Sequence, residues 1–382
     1  MFLEFIVPRR GSRPACVPPG AAIACLVGWL TAAVLSASEP ASSLFAPRHE
    51  WRQWKSEQGL PDNAVESLYQ ARDGWIWIGT RKGLARFDGM QFTLVGGAAS
   101  GVGEEAVLTM AEDDTGRLWI GTKRGPLVLR AGGLARPEDP HPVFRSAVRS
   151  LVPAREGGLW MVTSRAVSRW RQGRWEHREF APPEAVTWPL EEPPQLFALA
   201  EDADGTPWVS SDAGLYRLDW TGRSWTRVWS DSVPTDRTGA EHHIVRTVLA
   251  DAGGRLWFAT DRMLLERQRD GAIVSHAVPR GTADARARRL RETPEGIELV
   301  AGGRLYRWRE GRLESVTFWP GQEDVFVADT LMDREGTRWL ATRYGGLVQV
   351  RRPRVTMFTT RDGLPHNNVF SIAPAGPGGL WI

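Results

Sequence analysis

The strongest constraint on this chain is a unit that recurs along almost all of it. One copy reads Val65-Glu66-Ser67-Leu68, then Asp73-Gly74, then Trp77-Ile78-Gly79-Thr80, then Gly83-Leu84-Ala85-Arg86-Phe87-Asp88-Gly89. Leu118-Trp119-Ile120-Gly121-Thr122 repeats it after Asp113 and Gly116, and further copies centre on Trp160, Trp208, Trp257, Trp339 and Trp381. A degenerate copy, Ile297-Glu298-Leu299-Val300, carries Glu298 where Trp is expected. The anchors at 77, 119, 160, 208, 257, 298, 339 and 381 lie 41 to 49 residues apart. A period of about 40 to 45 residues with several short strands per unit marks a β-propeller, whereas helical repeats show 3.6-residue periodicity.

Composition agrees. The 382 residues include 40 Gly, 26 Pro and 19 Trp, which suits short strands, tight turns and aromatic fillers. Within a unit the pattern predicts four antiparallel strands: one around Val65 and Leu68, a turn on Asp73-Gly74, a Trp-bearing strand, a third ending at Asp88-Gly89, and an outermost strand from Gln91 to Val95. A lone four-stranded sheet buries neither face, so blades must stack. The recurring Trp77, Trp119, Trp160, Trp208, Trp257, Trp339 and Trp381 are expected to fill the gaps as structural anchors, each worth about 2 to 4 kcal/mol.

The phrase Gly-Leu-Pro-x-Asn occurs at residues 59–63 and again at 363–367, seven units later. It marks ring openings, so residues 50–355 are expected to form one seven-bladed, all-β propeller and residues 356–382 the truncated first blade of a second. Trp51 to Ser56 is placed to supply the outer strand of the Trp339 blade and close the ring, removing exposed edges.

Residues 1–38 read differently. Arg9, Arg10 and Arg13 precede an apolar run from Ala21 to Leu35 and the small residues Ser36-Ala37-Ser38. That order is a secretory signal peptide's; the alternative is an N-terminal membrane anchor, and both put the remainder outside the cytoplasm. Both cysteines, Cys16 and Cys25, fall in this segment, which excludes thiol redox chemistry and cysteine metal sites from the body. The formal net charge of +3 gives no support to a nucleic-acid partner.

Gly-Leu-Pro-x-Asn, followed by a short strand and Asp-x-x-Gly-x-Leu-Trp-Ile-Gly-Thr-x-x-Gly-Leu, resembles the two-component regulator propeller repeat over residues 50–382. Departures are the Glu298 blade, the Ser210-Ser211 blade lacking Gly-Thr, and a long insert from Trp175 to Gln195. The resemblance implies the periplasmic, ligand-sensing region of a bacterial histidine kinase or diguanylate cyclase. The full-length protein would be held at the inner membrane and would sense a carbohydrate or other small polar ligand. The partners it implies are a small-molecule or oligosaccharide ligand, a membrane-tethered output domain beyond this stretch, and a second protomer in a homodimer.

No catalytic constellation is legible. His242-His243 are adjacent, would face opposite ways on a strand, and read as loop histidines, and Asp113-Asp114-Thr115-Gly116 and Asp202-Ala203-Asp204-Gly205 lack the remaining ligands of a calcium loop. The stretch is expected to be non-enzymatic, without cofactor or metal; a propeller glycan lyase or hydrolase and a protein-interaction scaffold are the alternatives. By strand parity the Gly-Leu-Pro-Asp-Asn loop and the Thr-x-x-Gly turns share one face. That face displays Asn63, Arg81, Lys82, Lys123, Arg124, Arg165, Asp212, Asp261, Arg262, Arg343 and Tyr344, a subset of which is expected to bind a polar or anionic ligand.

Overall fold

The computed structural model describes residues 49–96, 104–131, 133–138, 141–181, 194–230, 244–279, 286–319, 321–351, 360, 364–374 and 380–381. The signal-peptide or anchor segment and His242-His243 lie outside these residues. Among the described residues no helix is long and apolar enough to cross a membrane.

His49–Pro353 forms one compact unit. It is a seven-bladed propeller of four-stranded antiparallel sheets. The innermost strands are Val65–Gln70, Val107–Glu112, Val148–Pro153, Leu196–Glu201, Thr247–Ala250, Ala287–Thr293 and Val327–Met332, blades 1 to 7 in order. Each neighbours the next around a central channel, and the last neighbours the first. Glu50–Trp54 pairs with Leu347–Arg351 in the register Glu50↔Arg351 to Trp54↔Leu347, so the first strand among the described residues is the outermost strand of blade 7. This is the closure expected of Trp51 to Ser56, beginning one residue earlier and ending two earlier, because Ser56–Gln58 turns into a 3-10 helix. The insert read from Trp175 to Gln195 is shorter than expected, because Arg174–Glu179 is blade 3's own outermost strand.

The repeated Asp and Trp are one device. Asp113, Asp202, Asp251 and Asp333 each open the turn after an innermost strand, and the second carboxylate oxygen accepts the indole N–H six residues on, from Trp119, Trp208, Trp257 and Trp339, at 2.7 to 2.9 Å. The other oxygen takes turn N–H groups, as with Thr115 at 3.0 Å and Arg117 at 3.1 Å on Asp113. Blades 1 and 3 have Ala71 and Ala154 at that position. Trp160 compensates by donating to Glu201 of blade 4 at 3.2 Å, while the Trp77 indole N–H is buried without a partner.

The anchors from Trp77 to Trp339 pack against the following blade, as Trp77 does on Val107 and Ile120, and Trp339 on Val65 and Ile78. Between blades 6 and 7, where Glu298 replaces Trp, the gap is filled by Val300, Leu305, Val327, Leu340 and Trp319. Glu298 is fully buried and paired with Arg338 of blade 7 at 2.6 Å and with Arg307 at 2.8 Å. On the face opposite the Gly-Leu-Pro loop, backbone N–H groups of Arg72, Arg155, Ala252 and Arg334 donate to Glu112, Glu201, Glu292 and Gln70 at 2.7 to 2.9 Å, tying turn to neighbouring blade.

In the unit beyond Pro353, Ala373–Pro374 pairs antiparallel with Leu380–Trp381. The second Gly-Leu-Pro-x-Asn copy repeats a bond of the first: Asn367 Oδ1 accepts the N–H of Thr360 at 2.8 Å, as Asn63 Oδ1 accepts that of Ser56 at 2.8 Å. The motif's Asn is thus a loop clamp in both copies.

Candidate functional site

Pairing within each blade slips by one residue at the start of the innermost strand, at Val65/Ser67, Val107/Thr109, Val148/Ser150, Leu196/Ala198, Ala287/Arg289 and Val327/Asp329. A β-bulge leaves one residue unpaired and re-aims its side chain. The residues so released are Glu66, Leu108, Arg149, Phe197, Arg288 and Ala328; Arg246 holds the same place in blade 5, its N–H on the Ala259 carbonyl at 2.9 Å. Because Val65 pairs with Thr80, and Val107 with Thr122, this ring lies level with the Thr-x-x-Gly turns. It forms the mouth of the channel on that face.

The mouth is rich in arginine and aromatic rings. Glu66 accepts from Arg81 at 2.8 Å and lies 3.9 Å from Arg288. The Arg288 and Arg343 guanidiniums stand over the Phe326 ring at 5.1 and 5.2 Å, and Arg343 also reaches Tyr344 at 5.8 Å. Across the mouth, Arg246 stands over Phe197 at 5.1 Å and approaches Asp261 at 3.4 Å. Arg149 is open to solvent yet crowded by protein, and burial together with the Arg246 charge lowers its pKa. Burial pushes the Asp212 carboxyl up to about 6 against hydrogen bonds from backbone N–H groups and the nearby Arg246 charge.

The residues expected from sequence fall into three groups. Arg81, Asp261, Arg343 and Tyr344 touch the mouth residues, and Asp212 feels Arg246. Lys82, Lys123, Arg124, Arg165 and Arg262 are exposed on the same face, with Lys82 3.9 Å from Asp62. Asn63 is engaged as a loop clamp, through its side chain with Ser56 and its carbonyl with the N–H of Gly346. Sequence reasoning missed Glu66, Arg149, Phe197, Arg246, Arg288 and Phe326. The available signal was a charged residue recurring after the first apolar position of the innermost strand, in Val-Glu-Ser-Leu, Val-Arg-Ser-Leu, Val-Arg-Thr-Val and Ala-Arg-Arg-Leu.

Below the mouth the channel holds a cavity of about 510 Å³, lined from Ser67, Thr109 and Thr247 down to Arg155 and Glu201. Blade 6 reaches into it: Arg289 donates to the Leu108 carbonyl of blade 2 at 3.1 Å, and Arg291 to the Leu68 carbonyl of blade 1 at 3.1 Å. Both surround Asp329 of blade 7, with Arg291 at 2.9 Å and Arg289 at 3.5 Å. Asp329 is fully buried; although burial alone would raise its pKa, the two arginines hold it low. These side chains brace the channel from within. Among the described residues no group of three His, Cys, Asp or Glu is arranged to hold a metal, and Asp113 and Asp202 are engaged by their own turns. Chemically the mouth offers charge-assisted donors and ring faces, the means to bind a polar or anionic molecule.

A family model described as two component regulator propeller matches residues 59–82 and 101–124. No curated protein matches the sequence. Among solved structures, the extracellular domain of the hybrid two component system BT4673 from B. thetaiotaomicron is similar at 18% identity and TM-score 0.64, over 81% of this chain and 40% of that one. That of BT3049 from the same organism is similar at 19% identity and TM-score 0.62, over 87% of this chain and 46% of that one. The chain therefore spans less than half the length of these extracellular domains. Virginiamycin B lyase from Staphylococcus aureus shares the fold at 14% identity and TM-score 0.60, over 79% of this chain and 99% of that one. The fold is common to proteins of different activity, whereas two copies of the repeat, at residues 59–82 and 101–124, match the two component regulator propeller model.

Proposed function

We propose that this chain is the ligand-sensing input region of an exported bacterial signal-transduction protein, and that it binds a carbohydrate or other small polar molecule at the channel mouth. The observation that carries the reading is the bulge ring, which turns arginine and aromatic side chains from several blades toward one opening. A rigid blade scaffold holding such donors at a concave mouth is the arrangement of a binding site. The resemblance to extracellular sensor domains supports an extracytoplasmic location, with an output domain tethered to the membrane beyond this stretch. Residues 356–382 then open a second propeller. The region binds its ligand without transforming it.

The test is calorimetric titration of the chain with a panel of neutral and acidic oligosaccharides, with chromatography of each ligand after incubation. Saturable binding, lost in an Arg81→Ala/Lys82→Ala/Tyr344→Ala variant and leaving the ligand intact, is expected. A panel without binders, or binding unchanged in the variant, overturns the reading; cleaved ligand turns it toward a glycan enzyme.

A further inference from the structure

On the side of the mouth formed by blades 3, 4 and 5, three successive bulge positions hold Arg149, Phe197 and Arg246. The aromatic position thus lies between two arginine positions in the order of the blades. Arg246 is fixed from two sides, over the Phe197 ring at 5.1 Å and toward Asp261 at 3.4 Å. Arg149 has no hydrogen bond and no acidic group within salt-bridge distance among the described residues, and burial and the like charge of Arg246 both disfavour its charged form. The two like charges repel, and the repulsion persists because each arginine is anchored on the backbone of its own blade.

The nearby acids do not relieve it. Asp261 faces Arg246, and Asp212, pushed up to about 6 by burial, gives Oδ1 to the N–H of Gln195 at 2.8 Å. The Arg149 donors are therefore left for a group from outside. We infer that Arg149 and Arg246 form an oxyanion subsite, in which one carboxylate, sulfate or phosphate group of a ligand bridges both guanidiniums while the ligand's ring or apolar face lies on Phe197. This rests on the sensor reading above and deepens it by naming the ligand's chemical class.

The physical case is a matter of signs. An oxyanion between two guanidiniums turns one repulsion into two charge-assisted attractions, and the planar Arg fork suits tetrahedral and carboxylate oxygens alike. Phe197 is half-buried, so its remaining face is available at the same opening. Arg149 itself is solvent-exposed, so binding does not require an existing contact to break.

The experiment uses the whole chain and sulfate as probe, with glucuronate and glucose 6-phosphate as the carboxylate and phosphate arms and glucose as the neutral control. Binding is read by calorimetry and thermal melts at constant ionic strength, with chloride as the balancing anion. Saturable sulfate binding, on the order of millimolar for so small a probe, is expected. Loss of either arginine in Arg149→Ala or Arg246→Ala should weaken it about tenfold or more, and Arg312→Ala, on the outermost strand of blade 6, should not. Arg149→Ala should also melt slightly higher than the parent without sulfate, because it removes a repulsion, and should lose the sulfate-dependent rise. A structural role for Arg149 would give the opposite sign. The arms tell which oxyanion is preferred. Absence of saturable anion binding, or binding indifferent to both arginines, overturns the subsite. Oligosaccharide binding that depends on the Arg81, Lys82 and Tyr344 side of the mouth would then still stand, so the two readings fail separately.

Discussion

Glu298 and Arg338 are a matched pair of departures from the repeat, and reversing them tests that account. Glu298 stands where other copies have Trp, and Arg338 stands one residue before Trp339, where they have Ile76, Leu118, Leu159, Pro207 and Leu256. Neither is explicable alone. Glu298 is wholly buried and Arg338 retains 4% of its side-chain exposure, with their atoms 2.6 Å apart. Arg338 also donates to Glu295 at 3.0 Å and to Thr330 at 3.2 Å, and Arg307 to Glu298 at 2.8 Å. Removing one member of a buried pair leaves an uncompensated charge and costs about 3 to 5 kcal/mol, whereas replacing both by apolar groups is often neutral or stabilising. Arg338→Leu should therefore lower the melting temperature by on the order of 10 °C. Glu298→Trp alone should also destabilise, because Arg338 keeps only Glu295 as its acid. The double variant restores the repeat, with Trp facing Leu across the gap and Arg307 still paired with Glu295. It should lie within about 2 kcal/mol of the parent. The assay is a double-mutant cycle in urea, followed by far-ultraviolet circular dichroism. Additive destabilisation, with the double variant as weak as the sum of its singles, would refute the coupling.

Two further outcomes follow from the geometry. Asp212 has its pKa pushed from 3.8 up to about 6 by burial, so the folded chain retains a proton that the unfolded chain has released, and stability falls as pH climbs through that window. Asp212→Asn should raise the melting temperature at about pH 7.5 and leave it unchanged at about pH 4; an equal gain at both would show that the carboxyl's ionisation is not the cause. In the closing strand, Trp54 is 4% exposed and packs on Phe87 and Trp339, whereas Trp51 is 49% exposed and stacks on Trp319. Trp54→Ala should cost about 3 to 5 kcal/mol in urea unfolding and Trp51→Ala no more than about 1.5, and equal losses would mean that closure does not rest on the inner indole.

The fold was legible because periodicity survives changes of detail: seven anchor positions and two ring-opening phrases are one-dimensional facts. The closing strand was legible for the same reason, since the ring had one strand to spare and one edge to cover. The mouth was legible only in part. Turn residues such as Arg81 and Tyr344 announce themselves by position, but Arg149 and Phe197 sit inside strands and Arg246 directly before one, where strict alternation would turn them into a blade interface. A one-residue bulge reverses that assignment, and a bulge leaves little trace in composition. Asn63 shows the converse. It is a polar residue on the right face whose side chain serves the loop that carries it. Arg338 was in plain view at an apolar position, but its reason lies 40 residues away in the preceding blade.

The strand that closes the ring also fixes where the ring is mechanically weakest. Glu50, where the chain enters, is the register partner of Arg351, where it leaves. Tension between those two ends loads the Glu50–Trp54 ladder from its terminal pair inward, one rung at a time, rather than shearing all rungs together. Every other blade is spared, because its strands are joined by turns that carry no end load. The propeller can thus be unzipped by a modest pull along the chain, at the one seam its sequence order requires.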